Sequence, residues 1–166
     1  MKINIALLTV TDTRTLDTDK SGNILVKKFD EFHHNLIDRK ICKDNKEDIK
    51  EILLNWINKK EIDVIITTGG TGLTGRDITP EAINEIADKH IPGFGEIFRY
   101  YSLETVGTSS IQSRASAVLA NGKYIFALPG SSGGVTDAWD KILIKQLDIN
   151  HKPCNFVELF PRLKEK

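Results

Sequence analysis

The chain has 166 residues, 40% of them apolar and 28% charged, with 23 basic and 23 acidic side chains and a formal net charge of zero. That length suits one domain spanning residues 1–166, and a domain of this size buries ~70% of its unfolded surface with no need of a disulfide or metal staple. Zero net charge leaves no global field to attract nucleic acid or an anionic membrane, so neither is expected as a partner; an anionic ligand would be held by local dipoles and a metal. Cys42 and Cys154 fit no metal or redox spacing and read as two reduced thiols, as in a cytoplasmic protein.

Ile3 to Val10 reads as a first strand. It is too short for a membrane span, and polar residues follow it without a small-residue cleavage site. Thr11 to Gly22 is a polar loop longer than most connections, which marks it as functional. Ser21 or Asn23 can cap a helix with Ile24, Leu25, Phe29 and Phe32 on one face. Leu36 to Cys42 alternates as a second, less buried strand. Lys46 to Lys59 has Ile49, Ile52, Leu53, Trp56 and Ile57 at helical spacing. Ile62 to Ile66 is a fully buried third strand. Pro80 to Asp88 is a third helix, with Thr79 as its N-cap and Pro80 in the first helical position.

Pro92-Gly93 then breaks the chain before a helix over Glu96 to Glu104. Gly107 to Ser110 is a loop, and Gln112 to Leu119 reads as a further helix. Asn121-Gly122 turns into a late strand, Tyr124 to Leu128. Pro129 to Gly134 is a glycine/serine loop opening an amphipathic helix through Val135, Trp139, Ile142, Leu143 and Leu147. The tail from His151 contains Pro153 and Pro161 and is expected to lie over the body. Strand–helix alternation of this kind argues for a mostly parallel central sheet with helices on both faces. All such strands deliver their following loops to one edge, where ligands bind.

The stretch from Thr67 to Pro80 carries the strongest functional signal. Four glycines fall within seven residues, among threonines and one Arg-Asp pair. Glycines let amide N–H groups crowd around an anion, and threonines add hydroxyl donors. Gly70 to Gly75 matches G-x-G-x-x-G literally, but it follows the third strand, and Arg76 to Pro80 intervene before the helix; a dinucleotide fingerprint is therefore rejected. No P-loop pattern occurs. Asp44 and Asp77 each follow a strand at the same edge. Two acids beside a phosphate site would repel the ligand unless a divalent cation neutralises them, so the pattern points to metal-assisted phosphoryl-type transfer with Mg²⁺ held at Asp44 and Asp77.

Other features are less specific. Gly130 to Gly133 at a helix start is a ready anion site. Gly107 to Ser110 reads equally as a helix cap or as extra donors to the same ligand. His33, His34, His90 and His151 have no ligand-like spacing. Trp56 and Trp139 fall on apolar helix faces. Phe94, Phe98, Tyr100 and Tyr101 suit either core packing or a subunit interface.

Together these motifs resemble the MoaB/MogA molybdenum-cofactor biosynthesis family, which includes the G domain of gephyrin. The resemblance is carried by Thr67-Thr68-Gly69-Gly70-Thr71-Gly72 with Arg76-Asp77-Ile78-Thr79-Pro80-Glu81-Ala82, by Pro92-Gly93-Phe94-Gly95-Glu96 and by Leu128-Pro129-Gly130-Ser131. Thr11-Asp12-Thr13-Arg14-Thr15, Gly107 to Ala115 and Lys152-Pro153-Cys154-Asn155-Phe156 look most like the MoaB branch. The likeness covers nearly the whole chain. It implies a three-layer α/β/α sandwich that binds molybdopterin, and an adenylyltransferase that joins the molybdopterin phosphate to AMP from Mg-ATP. It implies catalytic, metal-holding acids at Asp44 and Asp77. Substrate binding is implied for Thr11, Asp12, Thr68, Gly69, Gly70, Thr71, Gly72, Ser109, Ser110, Pro129, Gly130 and Ser131. A homo-oligomer, trimer or hexamer, is implied as well. Cys42-Lys43-Asp44 departs from the MogA branch, where a proline is usual. Some MoaB-branch proteins lack the transfer step and act as molybdopterin binders; retention of both acids favours activity here.

Overall fold

The computed structural model describes residues 1–165. The strands are β1 (Asn4–Val10), β2 (Asn35–Cys42), β3 (Val64–Thr68), β4 (Lys89–His90), β5 (Ser116–Ala120) and β6 (Lys123–Leu128). The helices are α1 (Lys20–Glu31), α2 (Lys46–Ile57), α3 (Thr79–Glu85), α4 (Pro92–Val106) and α5 (Ser132–Ala138). α5 runs on through a wide π-helical turn, Trp139–Leu143, and a last turn, Ile144–Gln146. One six-stranded sheet has the order β2-β1-β3-β6-β5-β4. β2, β1, β3 and β6 pair parallel, whereas β5 is antiparallel to both of its neighbours.

The pleat of the sheet builds the three layers, because successive side chains point to opposite faces. Ile5 and Leu7 of β1, Val64 and Ile66 of β3 and Phe126 of β6 face one core, packed by Leu25 and Phe29 of α1, Phe94 and Phe98 of α4, and Trp139. Ala6, Leu8 and Val10, with Ile65 and Ile125, face the other core, against Ile49, Leu53 and Trp56 of α2 and Ala82 and Ile83 of α3. Residues on both faces of β3 and β6 are buried, which accounts for the apolar runs Val64–Ile66 and Tyr124–Leu128. β2 lies at the sheet edge and is only partly covered, so it alternates more loosely. Among the described residues no helix is long and apolar enough to cross a membrane. In the tail, the rings of Phe156 and Phe160 pack at a tilt against Tyr124, which holds the final turn (Val157–Arg162) against the body.

Several local expectations are corrected. The helix expected over Gln112 to Leu119 is instead a 3₁₀ turn, Gly107–Gln112, followed by β5. The alanine-rich composition favours a helix locally. The tight Asn121-Gly122 turn, with both residues at positive φ, pairs Ala120 with Lys123 and overrides that preference with an antiparallel hairpin. Pro92 starts α4 near its first turn rather than interrupting the chain. Thr79 is not a cap: Ile78 occupies the N-cap position of α3, and the Thr79 hydroxyl donates to Gly69 O at 2.9 Å. The cap of α1 is neither Ser21 nor Asn23 but Asp19, whose carboxylate accepts from the Gly22 amide at 2.9 Å.

Asp19 is completely buried. It also accepts from Thr9 Oγ1 at 2.6 Å and from Arg39 at 2.9 Å, tying β1, β2 and α1 together behind the Thr11–Thr18 loop. Burial alone would raise its pKa, but the Thr9, Arg39 and Gly22 bonds hold the carboxyl below its ordinary value. Its stabilising contribution is therefore full above the ordinary carboxylate range and is lost as pH falls through the depressed value. Asp19→Ala leaves Arg39 without its partner and is expected to cost about 3 kcal/mol in urea unfolding at neutral pH. The difference from wild type should shrink in acid; an equal loss at both pH values would contradict the ion-pair contribution.

Candidate functional site

β1 and β3 lie side by side, yet the chain leaves β1 toward β2 on one flank and leaves β3 toward the other. A crevice forms where the crossovers diverge, outside the carboxyl ends of the strands. Four loops meet there, and with the α4–β5 connection they line a cleft of about 1150 Å³. Thr11 and Asp12 come from the end of β1 and Asp44 from the end of β2. Gly69, Gly70, Thr71, Gly72, Arg76 and Asp77 follow β3, Ser109 and Ser110 lie on the 3₁₀ turn, and Pro129, Gly130 and Ser131 follow β6.

Backbone contact makes this convergence possible. Gly69 has φ +101°, and a Cβ there would sit 2.2 Å from Val10 O. Its amide donates to Leu128 O at 3.0 Å, and a Cβ on Gly130 would meet the Gly69 Cα at 3.2 Å. Gly70, at φ +65°, leaves no room for a Cβ between Thr79 Oγ1 and Asp44 Oδ1, at 2.4 and 3.1 Å. Glycine is thus required to bring three strand ends together and to set Asp44 against the loop. Thr79 bonds both Gly69 O and Gly70 O, stapling the loop to the start of α3.

Of the substrate-binding positions suggested by sequence, only Thr68 does not line the cleft. It is the last residue of β3, completely buried, and its hydroxyl donates to Pro129 O at 2.8 Å. This bond joins the β3 and β6 loops. Ser131 lines the cleft, but its hydroxyl also accepts from the Gly134 amide at 3.1 Å as the N-cap of α5. Asp44 and Asp77 both border the cleft, in different environments. Burial would raise Asp77, but Thr74 donates twice to its Oδ2, at 2.9 Å from the amide and 2.7 Å from the hydroxyl, and with the Gly72 amide and Arg114 keeps the carboxyl below its ordinary value. Asp44 is pushed up by burial and by the charge of Asp12, opposed by Arg76 and reinforced by Asp77. Arg76 pairs with Asp12.

Sequence reading missed one wall of the cleft. Phe98, Ser102 and Thr105 lie on one side of α4, facing Thr136 and Asp137 of α5. Thr105 Oγ1 donates to Asp137 at 2.9 Å, and Lys141 lies 3.4 Å from the same carboxylate. The 4- and 3-residue spacing of Phe98, Ser102 and Thr105 places them on one helical stripe, a polar interruption of an otherwise apolar face that could have signalled the wall. The cleft-lining residues comprise four acids, Asp12, Asp44, Asp77 and Asp137, against a single base, Arg76, and include no histidine.

Residues 6–149 match a family model described as "Probable molybdopterin binding domain". Molybdenum cofactor biosynthesis protein B of Escherichia coli K12 is 43% identical over 161 residues, covering 97% of this chain and 93% of that protein. A crystal structure of a molybdenum cofactor biosynthesis protein B superposes with a TM-score of 0.89 at 38% identity, over 100% of this chain and 98% of that one. The tungsten cofactor synthesizing protein MoaB from Pyrococcus furiosus superposes with a TM-score of 0.77 at 34% identity, over 87% and 92% of the respective chains.

The raised pKa of Asp44 has a measurable consequence. A carboxyl whose folded pKa lies above its unfolded value destabilises the fold as pH rises through that interval. Asp44→Asn is therefore expected to melt at a higher temperature than wild type near neutral pH without ligand. The gain should disappear in acid, where both side chains are neutral. An unchanged or lower melting temperature at neutral pH would show that Asp44 is not electrostatically strained.

Proposed function

The chain belongs to the molybdopterin-binding domain family, in its MoaB branch, and from that membership we propose that it binds molybdopterin and adenylylates the terminal phosphate with Mg-ATP, releasing pyrophosphate. The observation that carries this reading is the juxtaposition of Asp44 and Asp77 around a glycine-rich loop in one cleft. The cleft exceeds the volume of most single-ligand pockets, which supports simultaneous occupancy by a pterin and a nucleotide.

The donor set suits a magnesium ion shared with substrate. Among the described residues there is no cluster of three or more His, Cys, Asp or Glu side chains that could cage a metal. Magnesium commonly takes only one or two carboxylates and completes its shell with water and phosphate oxygens. Asp44 and Asp77 would hold it, and when bound it offsets the charge gathering on the reacting phosphates.

This chain's own residues account for the rest. A phosphate oxygen of molybdopterin attacks the α-phosphorus of ATP, the α–β bridging bond breaks, and pyrophosphate leaves. The attacking oxygen is already ionised near neutral pH, so no general base is needed, in keeping with a cleft free of histidine. The glycine amides of residues 69–72 and the serines at 109, 110 and 131 would orient the anionic groups. Asp77, held at Oδ2 by Thr74, would keep a fixed direction without reorganisation during transfer.

Purified protein with molybdopterin, ATP and magnesium should release pyrophosphate and form adenylylated molybdopterin. Asp77→Asn should retain pterin binding while turnover falls by at least about 100-fold. Tight molybdopterin binding with no pyrophosphate release by the wild-type chain would identify a carrier instead. The proposed dependence on ATP calls for a cytoplasmic location.

A homo-oligomer is also proposed. Phe94 and Phe98 of α4 are core residues, but Ile97, Tyr100, Leu103 and Val106 form an exposed apolar row along the same helix. A row of this kind suits a second copy of the chain. Light scattering is expected to give a trimer or hexamer for wild type and a smaller species for Leu103→Glu; a monomeric wild type would rule this out.

A further inference from the structure

We propose that Arg114, which does not line the cleft, is the positioning residue for Asp77, clamping the catalytic loop from behind through every arm of its guanidinium. Nε donates to Gly72 O at 2.7 Å, one terminal nitrogen donates to Asp77 O at 2.8 Å, and the other pairs with the Glu81 carboxylate. The Arg114 amide adds a bond to Thr71 O at 3.0 Å. One residue, placed where the 3₁₀ turn gives way to β5, thus holds both ends of the 72–77 loop and the first turn of α3.

The geometry inside the clamp is tight. Asp77 folds back so that its Oδ2 lies 2.8 Å from where a Cβ on Gly72 would stand. Thr74 spans the turn, donating to the Asp77 carboxylate while accepting from the Asp77 amide at 3.1 Å. These bonds are internal to a loop exposed at Thr74, Gly75 and Arg76. The Arg114 fork joins Gly72 and Asp77 to the segment that leads into β5. A planar guanidinium can satisfy two carbonyls and a carboxylate at fixed angles; a lysine ammonium supplies the charge without that fork. Glu81 Oε2 is buried with no hydrogen-bond partner, so its carboxylate also depends on Arg114 for compensation. Arg114→Lys keeps charge opposite Glu81 while giving up the hold on Gly72 and Asp77, which separates clamping from simple charge balance.

The catalytic part of this inference rests on the transferase reading; the clamping part does not. Amide hydrogen exchange of the ligand-free chain is therefore measured beside adenylyl transfer for wild type, Arg114→Lys and Arg114→Ala. Exchange at Thr74, Asp77 and Thr79 is expected to accelerate at least about 10-fold in both variants, with the β1 and β3 amides unchanged, as for a local opening. In Arg114→Lys, kcat should fall by about 100-fold while KM for ATP stays within about threefold, the signature of a misplaced group rather than lost binding. Added guanidinium ion at non-denaturing concentration should restore part of the turnover of Arg114→Ala. Unchanged loop exchange in both variants would overturn the clamp, and so would equal acceleration throughout the sheet, which would reveal a general stability role. Locally accelerated exchange together with an inactive wild type would keep the clamp and reject the transferase reading.

Discussion

Three segments far apart in sequence meet backbone to backbone at Gly69. Its amide bonds Leu128 at the end of β6, a Cβ on it would collide with the Val10 carbonyl at the end of β1, and a Cβ on Gly130 would crowd its Cα. Any side chain at Gly69 would drive these strand ends apart. The Thr68 bond to Pro129 and the two Thr79 bonds to the Gly69 and Gly70 carbonyls complete this junction. The whole site depends on it, because loops on neighbouring parallel strands share a cleft only if their first residues can touch. The polar side chains that chemistry requires are then carried one to several residues beyond the junction.

The electrostatics of the cleft follow from that geometry. Bringing the β1, β2 and β3 loops together also brings Asp12, Asp44 and Asp77 together, and burial, with the charges of Asp12 and Asp77, raises the pKa of Asp44. Asp77 escapes it through the Thr74 bonds. A fold selected only for stability would not gather these charges around one arginine. The arrangement makes sense for a site in which a cation and polyphosphate enter together, each offsetting a charge that would repel the other alone. Local conflict of this sort is typical of functional sites set in an otherwise consistent framework.

Much of this is legible in the sequence. The alternation of apolar runs with helical patterns disclosed the layered parallel sheet, and the position of Asp44 and Asp77 just after strands placed both at one edge. The misreadings share a cause: local preference was overruled by tertiary pairing. The alanines around β5 favour a helix until the hairpin partner is present. Asp19 and Thr79 belie their surface-like residue types because their side chains bond groups distant in sequence. The stripe on α4 hints at the Ser102 and Thr105 side of the cleft wall, but its pairing with Asp137 is not legible, since α4 and α5 are separated by the hairpin. The fork of Arg114 was hidden for the same reason.

Diffraction from crystals grown with manganese in place of magnesium, together with molybdopterin and a non-hydrolysable ATP analogue, probes the central claim most directly. Anomalous signal is expected between the carboxylates of Asp44 and Asp77, with phosphate oxygens completing the metal's shell above residues 69–72. Metal and phosphates bound elsewhere, with either carboxylate left facing solvent, would contradict it.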